Sequence, residues 1–384
     1  MSENNENKAP LNKNYKVPRL RFKEFSNDWS NCKLLDIAES IKRKSDGRNW
    51  PLMMISASQG FINQSDRYDK DNAGTSKSKY TLIKYGELSY NHGNSKIKKY
   101  GAVFAMNDKG ALIPFVYHTF SIREPNNPFY FAKYLNLNIH NRYLKKVISS
   151  GARMDGLLNI SLDDFFKMPI NYPNLEEQNK INDFLEKLDT KINLINDKIS
   201  ILKKYKEGMI KKLINSSNKE MKLSQLITVC EKTKLQSSYG KTSGKYKFFI
   251  NSSDEITKWS DDYIFDGEYL ILNTGGTAFT NYVNGKFSAM SDCLVVKTNS
   301  KYSITIYYWL KSIEKWIDAV GFQGTGLKHL DINWLLRQKV KIIEYDNKKL
   351  SNFNKELNSL IELNSFVLEK LKLLKNIFLN LMFI

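Results

Sequence analysis

Cysteine is scarce and scattered in this sequence. Cys32, Cys230 and Cys293 are an odd number of isolated thiols with no CxxC spacing, which argues against a disulfide framework and a zinc cage. Histidine is equally thin: His92, His118, His140 and His329 show no HxxxH or HExxH spacing, so no metal site is expected. No paired carboxylates stand out, and no catalytic residue is assigned. Long apolar runs are also missing; a membrane-spanning helix needs roughly 18 or more consecutive apolar residues. Met1 to Asn14 is too polar for a signal peptide, so the expected location is the cytoplasm. Acidic residues are outnumbered, with 40 Asp and Glu against 59 Lys and Arg, a net charge of +19. Such a surface attracts polyanions and releases counterions on binding, which makes nucleic acid the first partner to consider, ahead of an anionic membrane.

What is present is a folded composition in two copies. The 384 residues, 41% hydrophobic and 12% aromatic, suffice for two medium domains with hydrophobic cores. Gly151, Gly156, Leu157, Ile160, Asp163 and Phe166 recur 170 positions later as Gly321, Gly326, Leu327, Leu330, Asn333 and Leu336. Upstream, Tyr85-Gly86-Glu87-Leu88 recurs as Asp266-Gly267-Glu268-Tyr269 at an offset of 181, and Tyr134-Leu135 as Trp309-Leu310 at 175. Downstream, Ile181, Phe184, Leu188, Ile192, Ile199 and Leu202 meet Leu350, Phe353, Leu357, Ile361, Leu368 and Leu371 at 169. A conserved order with a shrinking offset is the mark of a duplication whose second copy has lost loop residues.

Each copy ends in a long amphipathic stretch. From Leu175 to Ile214, Leu185, Ile192 and Ile199 interleave with Leu188, Ile195 and Leu202 at spacings of three and four, the heptad of a packed seam. Lys206 interrupts the first series. From Asp346 to Ile384 the same count selects Leu350, Leu357, Leu371 and Phe378 against Phe353, Leu360, Val367, Leu374 and Leu381, with Asn364 as the polar interruption that sets register. Packing the two stripes on each other as an antiparallel pair buries both and would put the two globular domains at opposite ends of a rod. Short apolar runs, Gly101 to Met106, Ile113 to Tyr117, Tyr269 to Leu272 and Cys293 to Val296, read as strands. Helical patches at Phe129 to Leu144 and Ile304 to Val320 lie between them in matching places. The expected fold class is α+β: two tandem mixed α/β domains separated by a pair of long antiparallel coiled-coil helices. The expected division is a disordered tail over 1–14, a first domain over 15–173, a long helix over 174–216, a second domain over 217–344 and a second long helix over 345–384.

Two enzyme-like motifs are incomplete. Asn126-Asn127-Pro128-Phe129 approaches the Asn-Pro-Pro-aromatic loop of adenine methyltransferases, but the second Pro is missing and no Gly-rich loop supplies an S-adenosylmethionine site; Pro at a helix start is the simpler reading. Gly240-Lys241-Thr242 lacks the P-loop glycine five positions upstream, where Leu235 stands, and reads as a basic turn.

Val17-Pro18-Arg19-Leu20-Arg21-Phe22, then Trp29 and Leu34-Leu35-Asp36-Ile37, resembles the start of Type I restriction-modification specificity subunits. Gly86-Glu87-Leu88-Ser89-Tyr90-Asn91 and Gly151-Ala152-Arg153-Met154-Asp155-Gly156-Leu157-Leu158-Asn159-Ile160 resemble segments of that family's target recognition domains. Pro173-Asn174-Leu175-Glu176-Glu177-Gln178 with Ile181 resembles its central helix, and Leu379 to Ile384 its usual C-terminus. In the second copy Tyr345-Asp346-Asn347-Lys348 departs from the helix-start motif. The resemblance implies a non-catalytic subunit in which each recognition domain reads one half of a split double-stranded DNA site. It implies that the paired helices set the gap and dock methyltransferase subunits, two in number, and that restriction subunits complete the assembly. S-adenosylmethionine, ATP and magnesium would then belong to those partners, with no cofactor in this chain and no membrane association. Two other readings stay open: a stand-alone adenine DNA methyltransferase, and a basic coiled-coil scaffold.

Base reading needs donors and acceptors on loops that enter a groove, with cations nearby for phosphates. In the first domain the candidates are Asn91, His92, Asn94, Ser95, Lys96 and Lys98, then Lys77 and Lys79 on another loop, and Arg153 with Asp155. In the second they are Gln323 and Thr325, Lys328 and His329, with Asn273, Thr274 and Lys286. The two sets share little sequence, so an asymmetric, two-part target is expected.

Overall fold

The computed structural model describes residues 17–66, 79–93, 98–148, 158–217, 219–252, 258–299, 301–326, 328–342 and 347–383, with the side chains of residues 215 and 347–351 excepted. The expected tail, 1–14, lies outside the described residues. The chain forms two compact units, Met1–Asn193 with Glu369–Ile384, and Leu194–Leu368. Each long helix is therefore shared between the units.

Both units are closed in the same way. In the first, Ser30–Lys33 pairs antiparallel with Pro169–Tyr172; in the second, Glu220–Lys222 pairs with Lys339–Lys341. A single 3-10 turn follows each opening strand. The Leu34 N–H donates to Met168 O and the Leu223 N–H to Gln338 O, both at 2.9 Å. Before each closing strand a short helix is capped by a side chain that satisfies an otherwise orphaned N–H. Ser161 Oγ accepts from Asp164 N at 3.0 Å, and Asp331 Oδ1 accepts from Trp334 N at 2.9 Å. These caps stand at positions 161 and 331, the 170-residue offset of the sequence repeat.

The first unit holds a four-stranded antiparallel sheet in the order Ala38–Ser40, His118–Ile122, Leu88–Asn91, Ala102–Ala105. Its core is aromatic, with Tyr90, Phe120, Phe131, Tyr134 and Phe165 buried together, and Met382 and Phe383 pack into the same cluster. Ile113 ends the strand Gly110–Ile113, and Pro114 to Tyr117 forms a turn closed by Tyr117 N to Pro114 O, so the expected strand over Ile113 to Tyr117 is corrected. Arg21 grips Glu177 with two hydrogen bonds, 2.7 and 2.6 Å, tying the Val17 to Phe22 segment to the start of the first long helix. Glu177 is only 1% exposed, so the pair is needed to offset the cost of burying its charge.

The second unit holds a six-stranded sheet in the order Ile227–Val229, Cys293–Thr298, Phe265–Asn273, Thr280–Ala289, Tyr246–Phe249, Lys258–Ser260. Side chains alternate across its strands. Leu270, Leu272, Leu294 and Val296 enter one core cluster, while Tyr269, Ile271, Cys293 and Val295 enter another. Gly267 and Gly285 face each other across the central hairpin, both at φ +127°, a conformation that side-chain-bearing residues rarely adopt.

The long helices span Leu175–Asn215 and Asn347–Leu381. They run antiparallel within each unit. In the first, Phe184 meets Phe378 with ring centroids 4.9 Å apart, and Lys375 pairs with Asp189. In the second, Tyr205 meets Phe353 at 6.3 Å, and Lys206 Nζ donates to Asn358 Oδ1 at 2.6 Å. Leu185, Leu188, Ile192, Ile195, Ile199 and Leu202 all lie on the sheltered face of the first helix. The second helix requires a correction. Leu357, Val367 and Leu371 are half-buried, but Leu360 and Leu374 are exposed, and the Asn364 amide donates to Leu360 O of its own helix rather than across the seam. The sheltered stripe keeps Phe353 and Phe378 of that count and runs through Asn354, Asn358, Ile361, Leu368, Lys375 and Met382. A count of apolar residues alone shifts the seam because three of its members are polar, each bonded to a partner side chain.

Candidate nucleic-acid interface

In the second unit two loops meet. One leaves the strand Phe265–Asn273 at Thr274; the other is the turn of the small hairpin Phe322–Gln323 and His329–Leu330. The Leu330 N–H donates to Thr274 O at 2.9 Å, the Gly276 N–H to Lys328 O at 3.3 Å, and Gly275 bridges His329. The base of the hairpin is fixed by close approach: a Cβ on Gly321 would lie 2.5 Å from the Trp334 ring, so only glycine fits there. Asp318 accepts the Ala278 N–H and Asn251 Nδ2 donates to Gly275 O at 3.3 Å, holding the neighbouring loop. Sequence reasoning missed Trp334, Asp318 and Asn251; only the recurrent glycine at 321 pointed to a tight approach.

On this frame Gln323, Thr325, Lys328 and His329 are exposed together. They offer an amide, a hydroxyl, an ammonium and an imidazole, the mixture that reads base edges and holds phosphates. Thr274 is half-buried beside them, its hydroxyl donating to Asp292 O at 2.5 Å. Asn273 is not part of this surface: it is 4% exposed and its amide donates to Thr277 O, shaping the loop from within. Lys286 is exposed but sits opposite Asp266, over the Tyr263 ring at 4.5 Å. Seven residues of strand, about 23 Å, separate that position from Asn273.

One backbone bond of the same kind is present in the first unit. The Leu158 N–H donates to His92 O at 2.9 Å, joining the strand end at Asn91 to the residue that follows Gly151 to Leu157. Lys77, Asn94, Ser95, Lys96, Arg153 and Asp155 lie outside the described residues. Lys79 is exposed, and its carbonyl accepts from Lys44 Nζ at 2.8 Å. Three candidates are corrected. His92 is 5% exposed and engages backbone carbonyls at both ring nitrogens. Asn91 donates to Ile55 O and accepts from Gly93 N, so its amide builds the loop. Lys98 is half-buried against Asn136 O, and burial, with Lys375 nearby, holds its ammonium below the usual lysine range.

The two incomplete motifs are absorbed by structure. Asn127 caps the helix Pro128–Leu135, accepting from Phe129 N and Tyr130 N, and its amide reaches Asn179. Buried Gln178 accepts from Asn127 N at 2.8 Å and donates to Asn126 Oδ1 at 2.9 Å, so this loop is locked to the first long helix. Lys241 is ion-paired with Asp261 at 2.6 Å on an exposed turn. No helix among the described residues is long and apolar enough to cross a membrane.

Residues 26–204 and 215–373 each match the family model for the Type I restriction modification DNA specificity domain. The chain belongs to that family. Its two specificity domains therefore coincide with the two copies of the sequence repeat. The chain is similar to a specificity subunit assigned to the type I restriction enzyme MjaX of Methanocaldococcus jannaschii, 28% identical over 216 residues. That match covers 53% of this chain and 50% of the relative, so the chain spans about half the length of the curated relative it matches. In fold, it is similar to the crystal structure of the S subunit of a Type I restriction-modification system from M. genitalium. There the TM-score is 0.62, with 14% identity over 96% of this chain and 99% of that one. A chain from a structural study of complex assembly and conformational transition of the type I R-M system gives a TM-score of 0.52, with 11% identity over 92% of this specificity chain and 96% of the other.

Proposed function

We propose that this chain is the non-catalytic specificity subunit of a Type I restriction-modification enzyme, acting in the cytoplasm. Each unit reads one half of an asymmetric, bipartite double-stranded DNA site. The observation that supports this reading is a backbone bond in each unit that ties the residue after a sheet strand to the chain beyond the recurrent glycines, Leu158 to His92 in one and Leu330 to Thr274 in the other. The loop sequences attached to this shared scaffold differ between the units. The net charge of +19 supplies the sequence-independent attraction.

The long helices set the gap and dock two methyltransferase subunits, with restriction subunits joining through the assembled complex. Exposed apolar side chains on them support this role. In the second unit Leu194 is 63% exposed and Leu363 59%, with Ile201, Tyr205 and Leu360 also exposed; the first unit adds Leu373, Leu374 and Ile377. Apolar stripes of this kind bind amphipathic partner helices. S-adenosylmethionine, ATP and magnesium are assigned to the partner subunits, which perform methylation and cleavage.

The test is equilibrium binding of the chain, assembled with its methyltransferase subunits, to duplexes in which either half-site is scrambled. Scrambling either half should weaken binding about a thousandfold at fixed salt, within the usual specificity range. A purified chain that binds S-adenosylmethionine and methylates DNA unaided would instead support a stand-alone methyltransferase.

A further inference from the structure

The incomplete motif Gly240-Lys241-Thr242 lies on a turn of the second unit that the reading surface leaves unused. Between Glu231 and Asp254 the chain carries five lysines and no carboxylate. Within that stretch the turn before the strand Tyr246–Phe249 is laid against the strand Lys258–Ser260. The Lys241 N–H donates to Trp259 O at 2.8 Å, the Trp259 N–H donates back to Lys241 O at 3.0 Å, and the Lys245 N–H donates to Ser260 O at 3.0 Å. Glycine is needed at both close approaches: a Cβ on Gly240 would lie 2.6 Å from the Phe248 ring, and one on Gly244 2.9 Å from Ser260 O. This docking of the backbone leaves Lys241, Thr242, Ser243 and Lys245 exposed. Beside them the rings of Tyr246 and Tyr263 meet with centroids 5.0 Å apart; Lys245 Nζ lies 5.4 Å over the first ring and Lys286 Nζ 4.5 Å over the second. Cations resting on aromatic faces are held in place yet stay open to an anion. Among the described residues no carboxylate pairs with Lys245, and the Lys241–Asp261 pair is exposed on both sides, which makes it weak.

The turn also stands near the reading hairpin. The strand Tyr246–Phe249 leads from Lys245 to Asn251, whose amide donates to Gly275 O at 3.3 Å. Six residues of chain reach at most about 22 Å, the length of about six base pairs at 3.4 Å each. A duplex seated on Gln323 and Lys328 can therefore meet Lys245 in less than one helical turn. We infer that the turn over residues 240–245, with Tyr263 and Lys286 beside it, is a second DNA-contact surface of this unit, one that grips backbone phosphates of the duplex flanking the half-site. Ammonium and hydroxyl groups on a fixed turn suit phosphate oxygens, which carry charge but no sequence information. Bases are read at the hairpin; the turn adds affinity and orientation. The inference rests on the DNA-reading function proposed above.

Binding by the assembled complex across a salt series tests it, with duplexes that stop at the edges of the mapped site or continue about ten base pairs, one turn, beyond one edge or the other. Wild type should gain about tenfold in affinity from such an extension. Lys241→Ala/Lys245→Ala should abolish the gain at one edge only and lower the slope of log K against log salt by about two. Its discrimination between intact and scrambled half-sites should match wild type. Lys241→Arg/Lys245→Arg keeps both charges and should behave as wild type throughout. No gain from either extension in wild type, or an unchanged slope in the alanine pair, overturns the inference. So does loss of half-site discrimination in the alanine pair, which would put these lysines among the base readers. Failure of that pair to assemble with the methyltransferase subunits also overturns it, in favour of an acidic protein surface on the turn. A wild-type complex that discriminates neither half-site would remove the reading beneath the inference instead, while the extension gain and the salt slope still decide whether the turn holds phosphates.

Discussion

Gln323 and Lys328 are both exposed on one small hairpin, and the proposed function gives them different work to do. An amide can bond a base edge in two places, so Gln323→Ala should cost about 1–3 kcal/mol and relax the sequence preference at a single position of one half-site. Lys328→Ala should weaken binding about equally on all sequences and reduce the slope of log K against log salt by about one. Titrations over a salt series separate the two; a uniform effect from Gln323→Ala would remove it from base reading. His140 gives a second residue-scale prediction. It is buried, bonded through Nε2 to Tyr134 O, and burial pushes its ring down to about 4. The protonated ring therefore belongs to the unfolded chain. From about 6.5 down to about 4 the unfolded chain holds more protons, so stability falls as pH falls, by up to about 3 kcal/mol. Denaturant midpoints at pH 7 and pH 5 should differ less in His140→Gln than in wild type; an equal difference would show that the ring is not held neutral. At this scale the sequence was only half legible. Gln323, Thr325, Lys328 and His329 are exposed on the small hairpin, but Asn91, His92 and Asn273 are residues of the same kind and turn inward. A polar residue at a strand end can face a ligand or hold its own loop, and local sequence does not distinguish the two.

Among the elements, the second long helix shows where two kinds of pattern disagree. Counting apolar residues locally selects Leu360 and Leu374, which are exposed, whereas the alignment of the two repeats pairs Ile361 and Leu368 with Ile192 and Ile199, and these are sheltered. The repeat is the better guide because it carries the seam's polar members, Asn358 and Lys375, along with its apolar ones. Those polar members hide the seam from a hydrophobicity count, and the exposed leucines supply a false one. Leu368→Ala removes a buried side chain and should cost about 2–5 kcal/mol. Leu363→Lys should leave the melting temperature within a degree or two while abolishing co-purification with the methyltransferase subunits. Loss of stability from Leu363→Lys, with docking retained, would move that leucine from the docking face into the seam. Strands in the globular parts were legible where a short apolar run is bounded by turn residues, as at Tyr269 to Leu272. They were missed at Pro114 to Tyr117, where an apolar run is a turn.

At the scale of the molecule, duplication and divergence together make the functional case. Closing strands, helix caps and seam positions recur between the units because each copy solves the same packing problem. The loop sequences do not recur, and buried His92 follows the strand in the first unit where Thr274 follows it in the second. Two copies of one scaffold with different loops should read two different sequences. The most direct test is long-read methylation mapping of a host that carries the complete system, with and without this gene. The account predicts an interrupted motif with two unlike halves that disappears when the gene is deleted. A continuous or palindromic motif dependent on this chain, or a motif that survives its loss, would contradict it.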